Sequence, residues 1–161
     1  MFQRLGFIAQ ACGTALIGLA LGASAPAVAR QAQDPPPKPD VVVGNWATED
    51  GNGVISIQPC GNALCGRIVG IVRAPGKPIP KDVHGASQCG LTIITNERPK
   101  PDGSWIGEVT DPRDGSTYNA QLWLDNSGNL RLRGYVGLPL LGQTQTWRPF
   151  TGRVTPSCEL A

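Results

Sequence analysis

Between residues 43 and 149 the chain repeats a single pattern, a short run rich in β-branched and aromatic residues that ends in glycine, proline, asparagine or aspartate. In this region no stretch of helical length spaces its apolar residues three and four positions apart. Turn sequences such as Asp50-Gly-Asn-Gly53 and Asp125-Asn-Ser-Gly128 are short enough to join neighbouring antiparallel strands. The pattern predicts an all-β chain with strands at 43–48, 54–59, 66–72, 91–95, 104–110, 116–125, 129–135 and 143–149.

Eight sequential strands joined by tight turns leave exposed edges unless the sheet closes on itself. We therefore expect a small eight-stranded antiparallel up-and-down barrel, with a two-sheet β-sandwich as the alternative. In the last strands Leu130 and Leu132 alternate with Arg131 and Arg133. This alternation predicts that the leucines face the interior and the arginines face water.

The N-terminal segment is typical of a secretory signal peptide. Arg4 precedes an apolar run at 5–21, and small residues follow up to Ala29, so we expect a signal peptide at 1–29. A membrane anchor is the alternative, but glycines interrupt the run, and no integral membrane segment is expected after cleavage. The protein is then periplasmic or secreted. Its small net charge gives no electrostatic reason to expect nucleic acid as a partner.

The remainder divides into three parts by composition. Residues 30–40 are rich in proline and predict an extended, disordered linker. Residues 41–156 form one predicted β-barrel domain, and 157–161 form a C-terminal tail. A domain of this size buries enough surface for one core without a metal, and we predict neither a metal site nor a cofactor.

Four cysteines follow the signal peptide, and an even number in an exported chain indicates disulfides. Cys60 and Cys65 lie at either end of a turn, which favours a Cys60–Cys65 bond and leaves Cys89 to pair with Cys158. Zinc is the alternative, but the spacing is not that of a usual zinc finger or ribbon.

A long connection, 73–90, contains three prolines and His84. Long loops in compact domains are often functional, so it is either a binding segment or a surface crossover held by Cys89. His84 lies near Asp82 and Ser87 in sequence, but residues so close together in an extended loop rarely converge on one reacting atom. We therefore do not expect an enzyme.

Several motifs together resemble the bacterial envelope proteins grouped as domain of unknown function 2147. They include Gly44-Asn-Trp46, Leu64-Cys-Gly-Arg-Ile68, Trp105-Ile-Gly-Glu-Val109, Leu132-Arg-Gly-Tyr135 and Thr146-Trp147. The resemblance implies an exported, one-domain β-barrel and supplies no catalytic residue. Residues 84–88 replace the charged, arginine-containing segment that is usual in this family. A looser likeness to lipocalin and fatty-acid-binding barrels implies that Arg148 stacks on Trp46.

These observations favour a non-catalytic barrel that binds a small apolar molecule or a lipid. The candidate ligand-binding residues are Trp46, His84, Trp105, Tyr118 and Arg148. Tryptophan and tyrosine more often fill a core than bind a ligand, but at the mouth of a barrel the two roles merge. The alternative is a structural or protein-interaction module of the cell envelope, and in either case we expect a monomer.

Overall fold

The computed structural model describes residues 42–160 apart from the side chain of Asn96. Within them the strands are β1 Gly44–Ala47, β2 Gly53–Cys60, β3 Ala63–Ile71, β4 Thr92–Pro99, β5 Trp105–Thr110, β6 Thr117–Leu124, β7 Leu130–Tyr135 and β8 Gln143–Pro149. A short 3-10 helix, Pro139–Leu141, lies between β7 and β8. Each strand pairs antiparallel with the next, and β8 pairs with β1, so the sheet closes. The predicted eight-stranded up-and-down barrel is confirmed, and the sandwich alternative is wrong.

The predicted signal peptide at 1–29 and the predicted linker at 30–40 lie outside the described residues. No helix within 42–160 has the length and apolarity that crossing a membrane requires.

The core lies inside the barrel because, away from the register shifts of β2, β3 and β4, alternate residues of each strand point inward. Leu122 pairs with Leu132 across β6 and β7, and Leu130 pairs with Trp147 across β7 and β8. Leu130 and Leu132 are buried, as the alternation predicted. A fully buried side chain of this size contributes about 1.5–3 kcal/mol relative to its exposed state. The buried core cluster consists of Val42, Trp46, Ile55, Ile57, Leu64, Ile68, Ile93, Ile94, Trp105, Ala120, Leu122, Leu130, Leu132 and Trp147.

The β2–β3 hairpin carries the first disulfide. Gly61 and Asn62 form a two-residue turn, and Gly61 has φ 65°, the positive value that the first central position of a type II′ turn requires. Cys60 is bonded to Cys65 just beyond this turn, which confirms the predicted pair. Pairing resumes at Ala63, three residues earlier than the sequence predicted.

Aspartates stabilise several turns by accepting a backbone N–H two residues later. The acceptors and donors are Asp50 and Asn52, Asp102 and Ser104, Asp111 and Arg113, and Asp125 and Ser127, at 2.9–3.0 Å. Hydrogen bonds to a carboxylate favour its charged form, so the pKa of each of the four aspartates is lowered. The largest contributions come from the side chains of Thr48 to Asp50, Ser104 to Asp102 and Arg113 to Asp111, and from the backbone N–H of Asn129 to Asp125. The turn aspartates therefore stay ionised at lower pH than an ordinary aspartate.

After β8, residues 150–160 cross the outer face of β2 and β3. Val54 faces outward there but is only 1% exposed, because the C-terminal segment covers it. The backbone N–H of Ile71 donates to the carbonyl of Cys158 at 2.8 Å. The disulfide between Cys89 and Cys158 joins this segment to the long loop, which confirms the second predicted pair.

Candidate functional site

The barrel has two ends with different connections. One, the loop end, carries the connections 48–52, 72–91, 111–116 and 136–142. The other, the turn end, carries the short turns 61–62, 100–104 and 125–129. Any molecule that reaches the interior passes one of these ends, so the side chains at each end decide what can be bound.

The turn end is filled by large side chains. Trp46, Trp105 and Trp147 face inward and are each at most 6% exposed. The indole N–H of Trp46 donates to the carbonyl of Val42 at 2.9 Å. This hydrogen bond fixes the residues that precede β1 against the Trp46 side chain. Among residues 42–160 the interior is therefore packed at the turn end.

The loop end is more open. Tyr118 pairs with Val109 and faces inward, yet it is 37% exposed. Gln145, which pairs with Leu132 on the inner face of β8, is also exposed and accepts a hydrogen bond from the indole N–H of Trp147 at 2.8 Å. A Cβ atom added to Gly134 would lie no closer than 3.7 Å to any neighbouring atom. Solvent thus reaches the inner wall at this end, and a methyl group at Gly134 would make ordinary contacts with Val109 and Tyr118.

A carboxyl group lies inside the barrel at Glu97, which the sequence analysis did not single out. The predicted strand 91–95 ends too early, because β4 continues to Pro99 through a register shift between Thr95 and Arg98. Such a bulge changes which residues face inward. Ile94 and Glu97, three residues apart, therefore both face the interior, where Glu97 pairs with Leu64 of β3.

The environment of Glu97 is apolar. Its side chain is fully buried, and neither carboxyl oxygen has a hydrogen-bond partner among the described residues. Burial disfavours the charged form and raises the pKa of Glu97 from an ordinary 4.5 to about 8. The indole N–H of Trp105 is likewise buried without a partner. Pro99 pairs with Trp105, so Glu97 and Trp105 are diagonal neighbours on the inner face, with Cα atoms about 7–8 Å apart.

The five predicted ligand-binding residues do not form one site. Trp46 and Trp105 lie in the packed interior, and Tyr118 lies at the loop end. His84 is exposed in a turn of the long loop. Arg148 is exposed and pairs with Ala47, whose neighbour Trp46 faces inward. The register thus places Arg148 and Trp46 on opposite faces of the sheet, which does not favour the stacking that the lipocalin likeness implied.

The long loop packs against the neighbouring turn of the loop end. The backbone N–H of Val83 donates to the carbonyl of Pro112 at 3.1 Å. Asp82 accepts the backbone N–H groups of His84 and Ala86 at 3.0 and 2.7 Å, so its carboxylate shapes the turn. Among the described residues no group of three or more His, Cys, Asp or Glu side chains is placed to hold a metal ion.

Two open clefts of about 390 and 470 Å³ lie beside the C-terminal segment. Both cysteines of the second disulfide line the smaller cleft, and the larger is lined in part by Arg73 and Glu159, which form an ion pair at 2.7 Å. Neither cleft includes any of the predicted ligand-binding residues.

Comparison with known proteins agrees with this architecture. Protein HP1028 from Helicobacter pylori, described as belonging to the lipocalin family, superposes with a TM-score of 0.59. The two chains are 17% identical over 68% of this chain and 82% of the other, which shows a shared fold and no more. No curated protein matches the sequence. A family profile described as "Uncharacterized protein conserved in bacteria (DUF2147)" matches residues 44–148, and the chain belongs to this family.

Proposed function

We propose that this protein is an exported, non-catalytic barrel that binds a small, largely apolar molecule through its loop end. The observation that carries the proposal is Tyr118, an inward-facing side chain that solvent reaches. It marks an inner wall that is open at one end, above an interior that is packed at the other. A barrel of eight strands has room for one small ligand or for its own side chains, and the inward-facing side chains that solvent reaches here, Tyr118 and Gln145, belong to the loop end.

The inner wall is lined with small residues across three strands. Gly107, Ala120 and Gly134 pair in one row across β5, β6 and β7. Ala120 is fully buried, so a ligand that enters past Tyr118 meets the backbone and methyl groups of this row only by displacing the side chains that cover it. Such a surface favours an apolar body over a charged one.

The rim of the loop end is also apolar. Exposed aliphatic side chains here are Val72, Val83, Val136, Leu138, Leu140 and Leu141. Arg133 stabilises the 136–142 connection, since its guanidinium donates to the carbonyls of Pro139 and Leu140 at 2.6 and 3.1 Å. The leucines therefore lie exposed on a loop that Arg133 holds in place, and an apolar ligand can contact them as it enters the barrel.

Export is supported by the two disulfides and by the predicted signal peptide. Disulfides persist in oxidising compartments such as the bacterial periplasm and are rare in the cytosol. A non-catalytic role is supported by His84, which lies exposed at the surface while the Asp82 carboxylate is committed to backbone N–H groups.

Binding of the neutral, apolar fluorophore N-phenyl-1-naphthylamine tests the proposal. We expect saturable binding of one molecule per chain, and we expect Gly134→Val to weaken it about tenfold or more, since the branched side chain narrows the inner wall. Asn119→Val adds a similar side chain on the outer face of β6 and should leave binding unchanged. Absence of saturable binding by the native protein, or equal affinity of the Gly134→Val variant, would refute the proposal.

A second candidate function, a protein-interaction module of the envelope, is favoured by the exposed leucines at 138, 140 and 141. Cross-linking in intact cells distinguishes the two. If Leu138→Ser with Leu140→Ser abolishes one recurrent cross-link while fluorophore binding persists, the rim is a protein contact. If the double variant loses fluorophore binding and the native protein gives no recurrent cross-link, the rim serves the ligand.

A further inference from the structure

Two buried polar groups in the barrel have no hydrogen-bond partner among the described residues: the Glu97 carboxyl and the Trp105 indole N–H. An unsatisfied buried polar group costs about 1–3 kcal/mol. By contrast, the indole N–H groups of Trp46 and Trp147 are both paired. Glu97 and Trp105 are diagonal neighbours on one face, so a single bound group can satisfy both.

The side chains around Glu97 set the charge state of its carboxyl. Leu64 of β3 pairs with Glu97. The inward-facing residues of β5 and β6 nearest to Glu97 include Trp105 and Leu122, and neither carries a charge. Another titratable side chain on the inner face of these strands is Tyr118, at the loop end. Because no cation offsets the loss of hydration, the pKa of Glu97 is raised to about 8 and the carboxyl is mostly protonated at neutral pH.

A protonated carboxyl presents an O–H donor beside a carbonyl acceptor, and an indole presents an N–H donor. A group with an acceptor beside a donor, such as a primary amide or a protonated carboxylic acid, can form two hydrogen bonds to Glu97. The carbonyl oxygen of the ligand group has a second lone pair, which can accept a hydrogen bond from the N–H of Trp105. Both partners are uncharged, so no ion has to leave water.

We propose that Glu97 and Trp105 anchor the polar end of the barrel's ligand, and that this end is an uncharged group with a hydrogen-bond donor beside an acceptor. The small-residue row Gly107, Ala120 and Gly134 lies between this pair and Tyr118 in the pairing order. Ala120 and the anchor pair are buried, so the ligand reaches them by displacing the side chains that cover this row. The inference rests on the proposed function, since it concerns the same interior.

An ammonium ligand is the competing choice for a lone carboxyl, but it requires a buried ion pair. Removing two charges from water costs several kcal/mol per ion, and their attraction repays this only with additional hydrogen bonds. The described apolar neighbours of Glu97 supply none. The uncharged donor–acceptor group is therefore the better match.

Calorimetric titration with three matched probes tests the assignment: octanamide, methyl octanoate and octylamine. The native protein should bind octanamide about tenfold or more tightly than methyl octanoate, which lacks the donor, or octylamine, which carries a charge. Octanamide binding should weaken between pH 6 and pH 9 as the carboxyl ionises. Glu97→Gln keeps a donor beside an acceptor, so it should bind octanamide at both pH values.

Glu97→Leu removes the anchor and should lower octanamide affinity to that of methyl octanoate, while Glu108→Gln, on the exposed outer face of β5, should behave as the native protein. Preference for octylamine that Glu97→Gln abolishes would overturn the uncharged assignment. Equal affinity of all three probes for the native protein and for Glu97→Leu would overturn the anchor and leave the proposed function standing. If N-phenyl-1-naphthylamine and all three probes fail to bind the native protein, both proposals fall.

Discussion

Replacing Glu97 by glutamine should change how the stability of the barrel depends on pH. In the unfolded chain the carboxyl loses its proton near its ordinary pKa of 4.5, whereas in the barrel it keeps the proton until about pH 8. The folded state therefore binds more protons than the unfolded state between these values, and the free energy of unfolding falls as the pH rises. Each pKa unit corresponds to about 1.4 kcal/mol, so the loss reaches about 3 kcal/mol at pH 7 and at most about 5 kcal/mol above pH 8.

Urea denaturation from pH 4 to pH 9, with both disulfides intact, measures this effect. Glutamine has the same shape and no charge, so the Glu97→Gln variant should lack the fall between pH 4.5 and 8. The four turn aspartates with lowered pKa contribute equally to both proteins, and they add stability as the pH rises from strongly acidic values. The difference between the two curves therefore isolates Glu97.

Glu108→Gln is the matched control, since Glu108 is an exposed glutamate on the neighbouring strand. Its curve should run parallel to that of the native protein. If the curves of Glu97→Gln and the native protein are parallel across this pH range, the carboxyl ionises in the folded barrel without penalty. The account of an unpaired, protonated group in the interior would then be wrong.

Three further predictions concern packing and cross-links. Gly66→Ala should lower the free energy of unfolding by about 1–3 kcal/mol, because the added methyl group would lie 2.8 Å from the buried side chain of Ile94 in β4. Urea denaturation measures this loss of stability. Replacing Cys89 and Cys158 by serine should cost about 4 kcal/mol in the same assay, since the bond closes a span of 69 residues. Trp105→Phe should destabilise less than Trp147→Phe by about 1–3 kcal/mol, because the first removes an unpaired N–H and the second a paired one; the two variants are compared by thermal unfolding.

The alternation of polar and apolar residues was sufficient to predict the barrel and much of its interior. In β6 and β7 the period of two is unbroken, and Leu122, Leu130 and Leu132 face inward as it requires. The hairpin disulfide followed from two cysteines around a short turn. In each case the information is local, because a strand's inner face is set by its own alternation and a hairpin by its own turn.

Glu97 could not be predicted in the same way. The stretch from Asn96 to Lys100 is polar and contains a proline, so it has the composition of a loop. The bulge between Thr95 and Arg98 breaks the period of two, and a bulge depends on pairing with neighbouring strands rather than on local sequence. The burial of Val54 could not be predicted for a related reason. Its side chain faces outward and is buried only because the C-terminal segment covers it.

The cost of Glu97 to stability and its use in binding have the same physical origin. A carboxyl that finds no partner among the described side chains is available to a ligand because its hydrogen bonds are not already made. Leucine at this position should give a more stable barrel at neutral pH that discriminates less between donor-bearing and donor-free probes, whereas glutamine should restore stability and keep discrimination. Stability measured by denaturation should therefore rise for both variants, whereas selectivity measured by calorimetry should fall for Glu97→Leu and stay unchanged for Glu97→Gln. A leucine variant that gained stability and kept its preference for octanamide would separate the two properties and place the recognition elsewhere in the barrel.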